Sequence, residues 1–280
     1  MSSPARIVLV AGRVRPDDRV GHHDYLAGCR LLAMFLARMP GVEPVLVEGG
    51  WPADPSILDE AASIVVYDGG GGKQGFLADP SRIEAFERAA RRGCGLVLLH
   101  QAAGFPMAHV EAGQRWFGGC YVPGTSRRGH WKTSHDGFPA HPVTTGVTPW
   151  RLTDGWLTRI AFTADPARLA PLVWASPDEG SPRTIENVAA WGFERPGGGR
   201  SFVYTGIDGH AAWTHEGLRR LVTNAVLWTA GAEIPARGAD VAIPDAELDG
   251  LLTPRASFPQ RAAKLLRKGI GRLIGEGRRW

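Results

Sequence analysis

Three observations predict an α/β fold built on a doubly wound, mostly parallel sheet. Short aliphatic runs alternate with stretches of helical periodicity through the first hundred residues. Nearly every run stops at a glycine or a polar residue. The run Leu96–Leu99, within GCGLVLLHQAAG, is continuously apolar, as suits a parallel strand buried on both faces. Right-handed crossovers follow from that rhythm. Ligands of such sheets gather outside the carboxyl ends of the strands, so His100 arrives at the usual place for chemistry.

Ile7–Val10 is the first strand, ending at Ala11-Gly12, and RVRPDDRVGHHD follows as a polar loop. A helix is predicted from Asp24 to Met39, with Leu26, Cys29, Leu32, Ala33, Leu36 and Met39 on one face. Asp24 caps its start and Pro40-Gly41 ends it. Val42–Val47 and Ile64–Tyr67 are the next strands, the latter running into Asp68 and Gly69–Gly72. Asp79-Pro80 opens a helix that turns Ile83, Phe86 and Ala90 inward and ends before Gly93. The fourth strand leads to His100. From Gly104 to Pro171 the pattern breaks into long loops rich in Gly, Pro, Trp and His, and long loops in compact domains are usually functional. Strands return at Leu172–Ala175, Val188–Phe193 and Phe202–Thr205, the last two joined by Pro196–Gly199. Thr214 is expected to cap a final helix to Ala230. Residues 1–235 read as one domain; residues 236–280 read as a linker and a basic amphipathic C-terminal helix.

At 44% hydrophobic and 21% charged residues the chain is an ordinary globular one. No apolar stretch approaches the roughly 20 residues of a transmembrane helix, and the N-terminus lacks the apolar region of a signal peptide. A cytoplasmic location is expected. Cys29, Cys94 and Cys120 are too scattered for a disulfide framework or zinc ribbon, and each suits core filling. Cys120 lies in a predicted loop. The net charge of +4 is local: Arg255–Trp280 holds eight Lys/Arg and one Glu. The remaining 24 basic and 27 acidic residues leave a mildly acidic body, which argues against a nucleic-acid-binding fold. Ala262, Leu265, Leu266, Ile270 and Leu273 form an apolar stripe in the tail, read as docking on its own domain or a sister subunit.

Gly69–Gly72 lacks the lysine-serine pair of a P-loop and the G-x-G-x-x-G spacing. It reads as backbone passing close to a ligand or another loop. Nine histidines are the clearest excess, and His22-His23, His100 and His210 all end or follow predicted strands. A lone histidine is usually a structural hydrogen-bonder; several at one sheet edge are another matter. No H-E-x-x-H or C-x-x-C spacing is present, so a zinc ion held by histidines has no local motif behind it. Of ten tryptophans, Trp116, Trp131, Trp150, Trp156 and Trp213 fall in or near loops, where they either stack on sugar rings or plug the layer above the core.

Taken together, VLVAGR…HHDYLAGCRLLA, VVYDGGGG, GLVLLHQAAG, WFGGCY with His130-Trp131, HPVTTGV and YTGIDGHAAW…LRRLVTNAVLWTAG resemble the ThuA-like family, over about Arg6 to Ala232. The resemblance implies a flavodoxin-like fold related to the class I glutamine amidotransferases. His100 stands where the amidotransferase cysteine would be, and His210 stands near the position of its histidine; glutamine hydrolysis is therefore not expected. The family is tied to catabolism of trehalose and related disaccharides through keto-sugars. Two departures are visible: Asp154-Gly155-Trp156 replaces an Asp-Glu pair, and His22-His23-Asp24 replaces a His-Glu-His motif.

The resulting expectation is a sugar-binding protein of carbohydrate catabolism with acid–base chemistry of a hydrolase or isomerase type and no cysteine nucleophile. The catalytic set is His100, His210 and Asp154. The substrate set is Gly12, His22, His23, Gly70, Gly71, Gln101, His130, Trp131 and Trp213. A divalent metal such as zinc is an open alternative, as is a non-catalytic sugar-binding or scaffold protein. A small-molecule sugar and a second copy of the chain are the expected partners.

Overall fold

The computed structural model describes residues 3–15, 18–69, 77, 79–178 and 180–255. In chain order it contains β1 (Ala5–Ala11), α1 (Tyr25–Leu36), β2 (Val42–Val47), β3 (Ser63–Tyr67), α2 (Pro80–Arg91) and β4 (Gly95–Leu99). Then come α3 (Val110–Phe117), β5 (Gly119–Cys120), β6 (Arg127–His135), β7 (Trp150–Thr158) and β8 (Ala161–Phe162). The chain closes with β9 (Leu169–Trp174), β10 (Val188–Glu194), β11 (Arg200–Tyr204), α4 (Glu216–Ala230) and α5 (Asp245–Gly250).

The main sheet has seven strands in the order β2-β1-β3-β4-β11-β10-β9. The pairs from β2 to β11 are parallel, and β10 and β9 extend the sheet antiparallel. This is the doubly wound arrangement with a mostly parallel sheet that the sequence predicts. Strand alternation divides the core in two. Ile7, Leu9 and Ala11 face α1 and α4, while Val8 and Val10 face α2 and α3. Asp24 does cap α1, accepting from the Ala27 N–H at 3.3 Å, and Asp79 caps α2 through Ser81. Such caps are worth about 1 kcal/mol each. Gly28 lets α1 approach the sheet: a Cβ there would lie 2.5 Å from the Tyr67 ring.

Several sequence expectations change. The stretch from 104 to 171 is not simply loops; it holds α3 and the nine-residue hairpin strands β6 and β7. β6 turns Gly129, Trp131, Thr133 and His135 inward and Arg128, His130, Lys132 and Ser134 outward, but its inward residues are not aliphatic, so no hydrophobic alternation betrays it. Thr214 does not cap α4, because its hydroxyl donates to the Ala211 carbonyl and the helix starts after His215. Cys120 lies in β5 rather than in a loop, buried with its Sγ against Gly113 of α3. Trp116, Trp150, Trp156 and Trp213 are buried core residues, which favours plugging over sugar stacking for these four. Residues 236–255, within the expected linker, pack on the domain. Ala239 and Val241 are buried, Arg219 donates to the Val241 carbonyl, and Thr253 bonds the Asp24 carboxylate. The predicted tail helix lies outside the described residues. Among the described residues no helix is long and apolar enough to cross a membrane.

At the carboxyl end of β3, Asp68 is buried against Gly12, where a Cβ would fall 2.0 Å from its Oδ1. Burial raises the Asp68 carboxyl to about 6, with the hydrogen bond from the Gly69 N–H opposing. An acid with a raised folded pKa holds its proton longer in the fold than in the unfolded chain. Its penalty is therefore absent below about pH 4 and grows as pH rises through 6. A rise of that size is worth about 2–3 kcal/mol. Asp68→Asn should thus be the more stable protein by about that amount at pH 7, and the gain should vanish near pH 4. Urea unfolding at the two pH values checks this; a gain independent of pH would refute the assignment.

Candidate active site

Four separate segments meet at the carboxyl edge of the sheet. The first is the end of β4. Leu99 is extended, and His100 then adopts φ +56°, turning the chain sharply into a single 3-10 turn. A non-glycine residue there is strained, and the result is a side chain tipped over the strand end. The second is the loop after β11, the strand paired with β4. There Ile207 adopts φ +68° and presents Asp208. The third is the loop between β1 and α1, where His23 also has positive φ. Backbone bonds stitch this loop to the second: His23 N–H donates to the Asp208 carbonyl at 2.9 Å, and His210 N–H donates to the Gly21 carbonyl at 2.6 Å. The fourth is the β6–β7 hairpin, which delivers His130 opposite Gly155.

Asp208 is the centre of the site. Its Oδ1 lies 2.8 Å from His23 Nε2 and 2.9 Å from His100 Nε2. Its Oδ2 lies 2.7 Å from His22 Nε2 and 2.9 Å from His130 Nε2. The inner pair is enclosed, His100 being 2% exposed. The outer pair opens to solvent, with side-chain exposures of 38% for His22 and 64% for His130. Two of the rings are fixed from behind. His23 Nδ1 faces Asp18 Oδ2 at 3.2 Å, and His100 Nδ1 faces the Thr205 carbonyl at 3.3 Å. Gln101 Nε2 sits 3.2 Å from His23 Nε2. A Cβ at residue 155 would come within 2.8 Å of Asp208 and 3.0 Å of His130 Nε2, so only glycine leaves room for the pair.

Burial alone would raise the Asp208 carboxyl, but the His100, His23 and His130 imidazoles around it outweigh burial and hold it far below the usual carboxylate range. His23 is shifted the other way. Burial would lower it, yet Asp208 and Asp18 together raise it. The three cysteines are buried, and burial pushes the Cys120 thiol up to about 12 and those of Cys29 and Cys94 upward as well. Among the described residues no thiolate is available as a nucleophile at neutral pH.

Of the residues singled out from sequence, the structure gathers His22, His23, His100, Gln101 and His130. It does not bring His210 to them. The step from Asp208 to His210 enters a 3-10 turn, which points its ring away, and Nε2 meets the Leu248 carbonyl of α5 at 3.1 Å. Trp213 is fully buried beside Tyr67 rather than facing a ligand. Strand alternation puts Trp131 on the hairpin face opposite His130, packed on the first core. Gly12 sits at the end of β1 against Asp68, and Gly70 and Gly71 lie outside the described residues. Asp154 is buried below the site, not in it. Its Oδ2 accepts from the Ile207 N–H at 2.6 Å, and its Oδ1 from Asp208 N–H at 3.0 Å and Gly155 N–H at 2.9 Å. Sequence reasoning missed Asp208 and Asp18. The signal for Asp208 was its place in TGIDGH, a carboxylate beside a glycine just past the last parallel strand.

A family model described as trehalose utilisation, ThuA, matches residues 47–229. Among solved structures the chain resembles a ThuA-like protein from Bacteroides uniformis at a TM-score of 0.57 and 15% identity, covering 82% of this chain and 93% of that one. A ThuA-like protein from Parabacteroides merdae is similar at a TM-score of 0.55 and 15% identity, covering 86% and 93%. At that identity the two structures speak for the fold alone. Among curated proteins no relative matches at a significant level.

Asp154 holds Asp208 in place through backbone amides, and hydrogen bonds to a charged group are worth about 1.5–3 kcal/mol each. Asp154→Ala leaves the Ile207 and Asp208 N–H groups buried and unpaired, for an expected loss of about 3–5 kcal/mol. Asp154→Asn keeps one acceptor and should lose less. Denaturant unfolding of both variants measures this; stability equal to the parent in Asp154→Ala would refute the positioning role.

Proposed function

The chain belongs to the trehalose-utilisation family ThuA, and on that premise we propose that it is an enzyme of carbohydrate metabolism that acts on a disaccharide or keto-sugar at the Asp208 site. The reaction class is proton transfer of a hydrolase or isomerase type, without a cysteine intermediate. The observation that carries this reading is the convergence of four imidazole Nε2 atoms on one carboxylate at the carboxyl edge of a parallel sheet.

Imidazoles exchange protons near neutral pH, and a carboxylate partner sets their orientation and basicity. His22 and His130 stand at the open mouth, where a sugar hydroxyl or carbonyl reaches them. His23 and His100 form the floor. Gln101 lies beside His23 and offers an amide to a hydroxyl. The buried thiols support the absence of a covalent cysteine step.

The test is turnover of trehalose, related disaccharides and their keto derivatives by the full chain and by His100→Ala. A general acid or base contributes about 10²–10⁴ in rate. His100→Ala should lose kcat on that scale, while the Kd for the sugar, read by calorimetry, stays within about tenfold. Unchanged turnover in the variant, or sugar binding with no turnover by the parent, would overturn the proposal.

A further inference from the structure

The inner histidines are fixed from behind and turned to one point. The Thr205 carbonyl behind His100 and the Asp18 carboxylate behind His23 are acceptors only, so each Nδ1 is directed to an acceptor. Both Nε2 atoms are left facing Asp208 Oδ1, 2.8 and 2.9 Å away. His100 Nε2, wholly buried, has no well-aligned hydrogen-bond partner. Ring nitrogens gathered on one carboxylate oxygen make a cluster that a cation would fill.

Two further features specify the cation. Imidazoles fixed through Nδ1 by a carboxylate or a carbonyl, with Nε2 turned to a shared point, are the usual support of a histidine-bound metal. The donor atoms form three triads, one of Asp18, His22 and His23 in the loop after β1, and two that share only Asp208. Of these two, His23, His100 and Asp208 form one, His22, His130 and Asp208 the other, with the atoms of each within 4.8 Å of one another. The carboxylate divides between them, Oδ1 to the inner triad and Oδ2 to the outer. Metal–nitrogen and metal–oxygen bonds of roughly 2.0–2.2 Å at angles of roughly 90–110° put ligand atoms roughly 2.9–3.4 Å apart, close to the spacing seen here.

We propose that Asp208 bridges two divalent transition-metal ions, one held by His23 and His100 and the other by His22 and His130. Nitrogen and carboxylate donors without thiolate suit zinc, cobalt, manganese or iron. Three protein ligands per ion leave open positions, the pattern of a catalytic rather than a structural site. Paired ions in such sites lie roughly 3.5–4 Å apart and clamp or polarise substrate oxygens, a role that the hydroxyls or carbonyl of a sugar would fill. The proposal rests on the same cleft being the reactive centre and makes the four imidazoles ligands, so that water held by an ion, rather than a free imidazole, would supply the proton transfer.

The experiment uses the full chain without a histidine tag, stripped with a chelator, dialysed, reloaded with zinc(II) or cobalt(II) and assayed for bound metal by mass spectrometry. The parent should retain about two equivalents, and its melting temperature should rise on loading. His130→Ala, altering an exposed side chain, should keep the fold and retain about one. Asp208→Asn should retain none, with circular dichroism confirming that it folds. One equivalent in the parent, or two in His130→Ala, would overturn the bridged pair; none in the parent would overturn metal binding altogether. Failure of the sugar reading looks different: a chain that binds both ions and turns over no sugar refutes the function and leaves the metal site standing.

Discussion

A single carboxylate, that of Asp208, is where the separate parts of this molecule become dependent on one another. Four imidazoles reach it from three places in the chain, and its depth in the structure makes each of those approaches specific. A buried charge is tolerated only where partners surround it. The partners here also pack on one another: His22 lies edge-on to His23, and His23 tilts against His100. Asp208 in turn depends on a strained backbone. Ile207, β-branched and at positive φ, is held by Asp154 below its N–H and by the Tyr67 hydroxyl on its carbonyl. Strain of this kind costs of order 1–3 kcal/mol per residue and persists only where the surroundings over-determine it.

The sheet supplies the platform, and the additions to it supply the ligands. β4 and β11 are adjacent and parallel, so His100 and the 205–208 loop emerge side by side. The β6–β7 hairpin contributes twice. One strand carries His130 into the cleft; the other carries Asp154 beneath it, and Gly155 leaves clearance for His130 and Asp208. The C-terminal segment braces the remaining loop. Thr253 bonds the Asp24 carboxylate that caps α1, and Arg255 donates to the carbonyls of His22 and Arg15. His210 belongs to this brace, its ring reaching α5 while its N–H pins Gly21.

Sequence by itself determined the elements whose residues interact with near neighbours. The aliphatic runs of β1, β3 and β4, the helical faces of α1 and α2, and the caps at Asp24 and Asp79 are set by spacing within a few residues, and they stand in the structure where spacing puts them. Parallel order follows from that rhythm, and with it the arrival of His22, His23 and His100 at one edge. Tertiary structure alone decided the rest. The inward face of β6 holds glycine, tryptophan, threonine and histidine rather than aliphatic residues, and His130 and Asp208 lie 78 residues apart yet meet at 2.9 Å. His210 and Asp154 carry the same chemistry as the residues that do meet, and only packing distinguishes them. Periodicity reports which face of an element is buried, whereas a cluster of charges drawn from four loops is set by where the folded backbone leaves each side chain pointing.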